Sequence, residues 1–187
     1  MINSTKTSIA GIGHRNINPS EFERIKDQIK GILLSINNSN LVIRTNLAFG
    51  ADLLIAECAK ELNIDLEVVL PLELDDYLLS IKEDSIKTGY SFSKEDENKL
   101  INLFNYAKKH IVLKDEKNTY LSASENLISS CDKAIVIWDN KEYPFIDENN
   151  NPINIGGTYH SLCKLKEKLS NNDIYIISCT RTSKKPL

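Results

Sequence analysis

Hydrophobic positions along the chain alternate between short unbroken runs and longer stretches with three- and four-residue spacing. The runs are Ile9–Gly13, Leu41–Leu47, Leu66–Pro71, Ile111–Leu113, Ala134–Trp138 and Ile174–Cys179, and their branched, apolar character predicts strands. Between the first two, Phe22, Ile25, Ile29, Ile32, Leu33 and Ile36 recur on one helical face. A second stripe, Ala51, Leu54, Ile55, Cys58, Ala59 and Leu62, starts at Gly50. Further helices are predicted through Leu100, Leu103, Phe104 and Ala107, through Leu121, Leu127, Ile128 and Cys131, and over 157–169 through Leu162, Leu165 and Leu169. Residues 72–110 are otherwise less regular, acidic and tyrosine-bearing at Leu74–Lys82 and loop-like at Thr88–Ser91. Residues 140–155 read as an Asn-rich loop containing Pro144 and Pro152.

Strand and helix alternate, and such alternation implies parallel strands joined by crossover helices. The expected fold is therefore α/β: a single doubly wound, mostly parallel Rossmann-like sheet of about six strands with helices on both faces. A length of 187 residues suits one domain, residues 1–187, with its core at about 8–179. Ala134–Trp138, the most apolar run, is expected to be central and buried on both faces.

Composition narrows the partners. The chain is 41% hydrophobic and 26% charged with a net charge of −3, so it carries no basic field, and its Lys and Arg residues are scattered. On that ground a long nucleic acid is expected to be excluded, whereas a small nucleotide needs only a local pocket. Cys58, Cys131, Cys163 and Cys179 have no CxxC spacing and sit in apolar contexts, which predicts a reduced, cytoplasmic protein. No leader pattern precedes residue 20 and no run approaches a membrane span, so no membrane partner is expected. His14, His160 and Cys163 lack the second close pair a zinc site needs, and no metal is expected.

In open parallel sheets ligands bind outside the carboxyl ends of the strands, where strand order reverses. The residues predicted there are Gly13, His14 and Arg15 after the first strand, Asn46, Gly50 and Asp52 after the second, Glu73 after the third, and Asp139 followed by Gly156-Gly157-Thr158 after the fifth. Five of the seven glycines, Gly11, Gly13, Gly50, Gly156 and Gly157, are expected at these corners. The last turn offers unpaired helix N-terminal amides to an anion. Arg15 is a candidate to fork onto the same phosphate, or belongs to a solvated loop. Asp139 is a candidate acceptor for ribose or base, or ends its strand. Asp52 reads as a helix-capping residue more than a ligand contact. Gly11-Ile-Gly-His-Arg lacks the third glycine of a dinucleotide fingerprint, so no cofactor is expected.

Taken in order, Ala10-Gly-Ile-Gly-His-Arg, Gly50-Ala-Asp-Leu-Leu-Ile-Ala-Glu, Val68-Val-Leu-Pro-Leu, Tyr120–Asn126 before Cys131-Asp132, Ala134-Ile-Val-Ile-Trp-Asp and Gly156-Gly157-Thr158 resemble the SLOG superfamily, which unites DprA-like and Lonely Guy (LOG) Rossmannoid domains. The resemblance implies binding of a nucleotide or nucleotide-derived signal at the glycine corners. Some such domains are sensors in bacterial antiviral systems, and others cleave the N-glycosidic bond of nucleoside monophosphates. In the hydrolases Gly-Thr is followed, after two residues, by a catalytic glutamate; here that count reaches Ser161, and Glu125 stands where relatives often carry arginine. A serine cannot supply the carboxylate. The leading expectation is thus a non-catalytic sensing or sequestering domain, with phosphate at Gly156, Gly157, Thr158 and Arg15, and ribose or base near Asp139 and Asn46. The alternative is a nucleoside 5'-monophosphate N-glycosidase using Glu73. Sensing would imply an effector protein or homo-oligomer as partner.

Overall fold

The computed structural model describes residues 6–36, 40–88, 91–113, 119–142 and 157–182. Its six strands are β1 (Thr7–Gly13), β2 (Leu41–Thr45), β3 (Asp65–Leu70), β4 (Lys109–Val112), β5 (Lys133–Trp138) and β6 (Ile174–Ser178). They pair in the order β4-β3-β2-β1-β5-β6, and every pairing is parallel. The chain leaves β1 toward β2 on one side and returns at β5 on the other, so strand order reverses between β1 and β5. A crevice at the carboxyl ends of that pair follows from the topology alone.

The helices are α1 (Phe22–Ser35), α2 (Ala51–Glu61), α3 (Leu74–Thr88), α4 (Lys94–Tyr106), α5 (Thr119–Ser129) and α6 (Gly157–Lys168). Strand residues alternate between two cores, because successive side chains point to opposite faces. On one face Ile9, Ile43, Val68, Ile135 and Ile177 meet α1 to α4; on the other Ala10, Ile12, Val69, Val136 and Trp138 meet α5 and α6. α2 is packed most closely. A Cβ on Gly11 would come within 2.9 Å of Ile55 Cγ2, so this glycine, expected at a corner, lies mid-strand and admits the helix to the sheet.

Two polar devices fasten the second layer. Arg44 of β2 points into the α5 side and is buried; it donates to Asn126 O at 3.2 Å and Asn126 Oδ1 at 3.0 Å, with Glu67 at 3.4 Å from its Nε. Lys168 of α6 reaches the end of α5 and donates to the carbonyls of Ile128, Ser129 and Cys131 at 2.6, 2.7 and 2.9 Å. It satisfies carbonyls that a helix C-terminus leaves unpaired.

The structure departs from the sequence expectation at three places in the fold. Leu74–Thr88 is a regular helix rather than an irregular stretch, because Tyr77, Leu78 and Ile81 form a buried i, i+1, i+4 stripe amid acidic residues. β5 is buried on both faces but stands one position from the edge strand β6. Finally, the segment after β6 turns back along the β1–α1 loop: Asn18 N–H donates to Thr180 O at 2.9 Å, Thr182 N–H to Asn16 O at 2.9 Å, and Ile17 bridges Arg181. That return carries Arg181 to the sheet edge where β1 and β5 end. Among the described residues no helix is long and apolar enough to cross a membrane.

Candidate functional site

At the carboxyl ends of β1 and β5 the chain assembles a line of polar side chains, buried at Asn16, His14 and Thr158. His14 follows β1, and its N–H donates to Ile137 O at 3.1 Å, which extends the ladder and fixes the ring above β5. Its Nε2 lies 3.0 Å from Asp139 Oδ1, a close approach that is off the line of a straight hydrogen bond. Its Nδ1 lies 3.3 Å from Thr158 Oγ1, in the first turn of α6. Behind Asp139, Arg181 Nη1 stands 3.6 Å from Oδ2, and Arg181 Nε donates to Asn16 Oδ1 at 2.6 Å. Thr158, His14, Asp139, Arg181 and Asn16 thus form one continuous chain from the helix terminus to the C-terminal return.

Burial holds the His14 imidazole below its ordinary pKa; the contact with Asp139 pulls upward against it, and the Arg181 cation adds to the lowering. The ring is accordingly neutral near pH 7. The ring faces Asp139 through Nε2 and Thr158 through Nδ1, and the Thr158 hydroxyl donates or accepts according to which nitrogen carries the proton.

A second polar group lies under the β2–α2 loop. Asp52, in the first turn of α2, is buried and accepts from Thr45 Oγ1 at 3.1 Å and Ala48 N–H at 3.3 Å. Burial pushes its carboxyl up to about 7, against the opposing pull of the Ala48 N–H, the Thr45 hydroxyl, Arg15 and the Asn46 N–H. Asp52 is the acceptor around which residues 45–50 fold, in agreement with its reading as a structural residue.

The remaining expected residues divide by what they touch. Gly13 and Gly50 are packing glycines: a Cβ on Gly13 would lie 2.4 Å from Ala51 Cβ, and one on Gly50 would lie 2.4 Å from Arg15 O. Gly50 has φ +86°, and the first amide of α2, Ala51 N–H, donates to His14 O at 3.0 Å. The α2 terminus is therefore closed by protein. Arg15, expected beside the Gly156-Gly157 amides, instead bonds Asp84 Oδ2 of α3 at 2.6 Å and lies over the Tyr120 ring at 5.8 Å. The Asp139 carboxylate, expected to face ribose or base, is committed to His14, Arg181 and the Lys141 N–H at 3.2 Å. Asn46 Oδ1 is buried and accepts no hydrogen bond among the described residues. Glu73 is exposed beyond β3, with β2 and β1 standing between that strand and β5. Gly156 lies outside the described residues. Gly157 is exposed, has φ +80°, and has nothing within 4 Å of where a Cβ would sit. Gly157, at the start of α6, is thus uncrowded, where Gly50, at the start of α2, is hemmed in by the β1 loop.

No protein-family model matches the chain, and no curated protein does. Among solved structures the chain is similar to DNA processing protein A. The Helicobacter pylori protein, described for its single-stranded DNA binding mode, aligns with a TM-score of 0.49 at 15% identity over 92% of this chain and 75% of its own. The Streptococcus pneumoniae protein aligns at 0.37 and 15%, over 92% of this chain and 59% of its own. These neighbours are DprA proteins, the group that the sequence motifs resemble, and the likeness is one of fold.

One expectation is corrected by that finding. Exclusion of long nucleic acid rested on net charge and scattered lysines, yet a protein that the chain is similar to is described as binding single-stranded DNA. Net charge is a property of the whole surface, whereas a strand is held by a local groove and a few phosphate contacts. The exclusion does not stand.

Sequence reasoning also missed residues that the structure brings to the site. Arg181 and Asn16 were invisible because their partners are distant in the chain: Arg181 Nε meets Asn16 across 165 positions. His14 and Thr158, 144 apart, were both candidates, but their contact has no local sequence signal. Ser161, at the position of the hydrolase glutamate, is buried.

Proposed function

We propose that the chain binds the phosphate of a nucleotide or nucleotide-derived ligand at the N-terminus of α6, beside His14 and Thr158, in a sensing or sequestering role. The observation that carries this reading is the contrast between the two helix termini facing the strand ends. The α2 terminus is occupied by the His14 carbonyl. α6 begins at an exposed Gly157 with nothing within 4 Å of where a Cβ would sit, and helix N–H groups and dipole favour an anion at such a terminus.

Binding is favoured over N-glycoside hydrolysis. A hydrolase needs a carboxylate beside the sugar, and the Asp139 oxygens are taken by protein partners, Ser161 is buried in α6, and Glu73 is exposed beyond β3. The test is calorimetric titration with nucleoside monophosphates, cyclic nucleotides and short deoxyoligonucleotides, with free base assayed in parallel. Saturable binding that weakens in Thr158→Val, with no base released, supports the reading. Base release lost in Glu73→Gln establishes the hydrolase instead, and absence of binding across the panel refutes the nucleotide site.

A further inference from the structure

The two edges of the sheet are finished differently. β4 ends it on one side with Lys109 and His110 exposed, polar groups of the kind that keep strand edges from pairing. β6 ends it on the other side as Ile-Tyr-Ile-Ile-Ser, without a charge or a proline, and among the described residues it pairs with no strand but β5. Cys179 N–H donates to Trp138 O at 2.9 Å. By the two-residue alternation of a strand, Tyr175 and Ile177 therefore direct their backbone groups to β5, and Ile174, Ile176 and Ser178 direct theirs outward. In keeping with this, Ser178 O accepts from Arg24 Nη2 of α1 at 2.8 Å. Along the open edge runs a groove of about 450 Å³ whose lining includes Arg24, Gln28, Gly31, Ser35, Ile176 and Ser178. Gly31 has no packing reason within the chain: a Cβ there would meet nothing within 4 Å, although a glycine inside a helix weakens it. Leu34, one turn further, is 72% exposed, and Ile176 is 43% exposed.

We propose that two copies of the chain join at this edge, β6 against β6, antiparallel about a two-fold axis through Ile176. The register follows from the strand itself. Ile176 is the midpoint of Ile174–Ser178 and faces outward, so the axis sets Ile176 against its copy and Ile174 against the partner's Ser178. Every outward N–H then meets an outward C=O, in the pairing that hydrogen-bonded antiparallel residues require, and the interface is the same surface on both copies. Charge favours a second copy as the occupant. Gln28, Gly31 and Ser35 on the groove side of α1 and the whole of β6 carry no ionised group. The charges stand at the two ends: Arg24 beside Ser178, and Asp173 just before Ile174. The two-fold axis brings Arg24 of each copy to the end where the other copy has Asp173, so unlike charges face each other at both ends of the seam. Each also keeps a partner of its own, Glu21 for Arg24 and Lys133 for Asp173, and no lone charge is buried. The bare backbone at Gly31 leaves room for the other copy, and Leu34 gains the cover that a single chain does not give it.

Sedimentation velocity of the full chain from about 5 to about 500 µM, with amide-resolved hydrogen exchange at both ends of that range, tests this. The parent should pass from monomer to dimer as concentration rises. Exchange at the Ile174, Ile176 and Ser178 amides should slow on the order of tenfold or more on association, while Tyr175 and Ile177, already bonded to β5, hold constant. Ile176→Lys sets like charges against each other at the axis and should weaken association on the order of tenfold or more. Because Ile176 is exposed in the single chain, the melting temperature of that variant at low concentration should match the parent's. Gly31→Gln should weaken association while raising the stability of the monomer, since glutamine is the better helix former. Leu79→Lys, at a similarly exposed position on α3, should leave association unchanged. A parent that stays monomeric to the top of the range overturns the proposal and leaves the edge to a strand from another protein. A dimer that survives both Ile176→Lys and Gly31→Gln overturns it as well, as does a dimer whose Ile176 amide exchanges as fast as the monomer's.

Discussion

Replacing Asp52 by Asn should change how stability depends on pH more than it changes stability at any single acidic pH. The carboxyl is fully enclosed, and burial raises its pKa from 3.8 to about 7. Between those values the folded protein holds a proton that the unfolded chain has released. Stability therefore falls as pH rises across that window, at about 1.4 kcal/mol per unit and roughly 4 kcal/mol in all. Below about pH 4 both states are protonated, and above about pH 8 both are ionised, so the slope vanishes at each end. Asn cannot titrate and keeps one oxygen for the Thr45 hydroxyl and the Ala48 N–H. Urea unfolding of both proteins from pH 5 to pH 8 isolates the group, since every other titration cancels in the difference. The stability of Asp52→Asn minus that of the parent should rise by roughly 3 kcal/mol over this range. A flat difference would mean that the hydrogen bonds from Thr45, Ala48 and Asn46 hold the carboxylate ionised despite its burial. A falling difference would reverse the sign of the reasoning outright.

Three further expectations follow from the packing. Gly50→Ala should destabilise by about 3 kcal/mol or more, since strain at its positive φ adds to a Cβ placed against the Arg15 carbonyl. Gly157→Ala has the positive φ and no clash, so denaturant unfolding should register only about 1–2 kcal/mol; equal costs at the two glycines would contradict the distinction between a crowded and an uncrowded glycine. Lys168→Met removes three donors from the α5 carbonyls and should cost about 1 kcal/mol, with amide exchange accelerating first at the end of α5.

Much of the fold is legible from apolar periodicity, and the exceptions have physical causes. The stripe of α3 is present in the sequence, but Leu79 and Ile86 are 58% and 78% exposed, so apolar residues appear on both faces and blur the period. Arg44 sits in an apolar strand because β2 alternation turns it toward α5, where Asn126 and Glu67 meet it; only the sheet order reveals those partners. Glycine placement at two of the expected corners has a packing cause. Gly13 and Gly50 mark where α2 and the β1 loop press together, which is a packing need that coincides with the ligand edge of such a sheet. The candidate site was legible as a set of residues, His14, Asp139 and Thr158 among them, and not as a connected chain. Connection depends on strand register between β1 and β5 and on the return of residues 180–182, which pattern along the chain does not encode.

The central claim is that a nucleotide phosphate seats at the N-terminus of α6, and amide-resolved NMR titration with AMP tests it most directly. The account predicts that the Gly157 and Thr158 amides shift downfield with saturating ligand together with the His14 ring resonances, while the Ala51 amide, already bonded to His14 O, stays in place. Shifts confined to other surfaces, or an Ala51 response without one at Gly157 and Thr158, would contradict it.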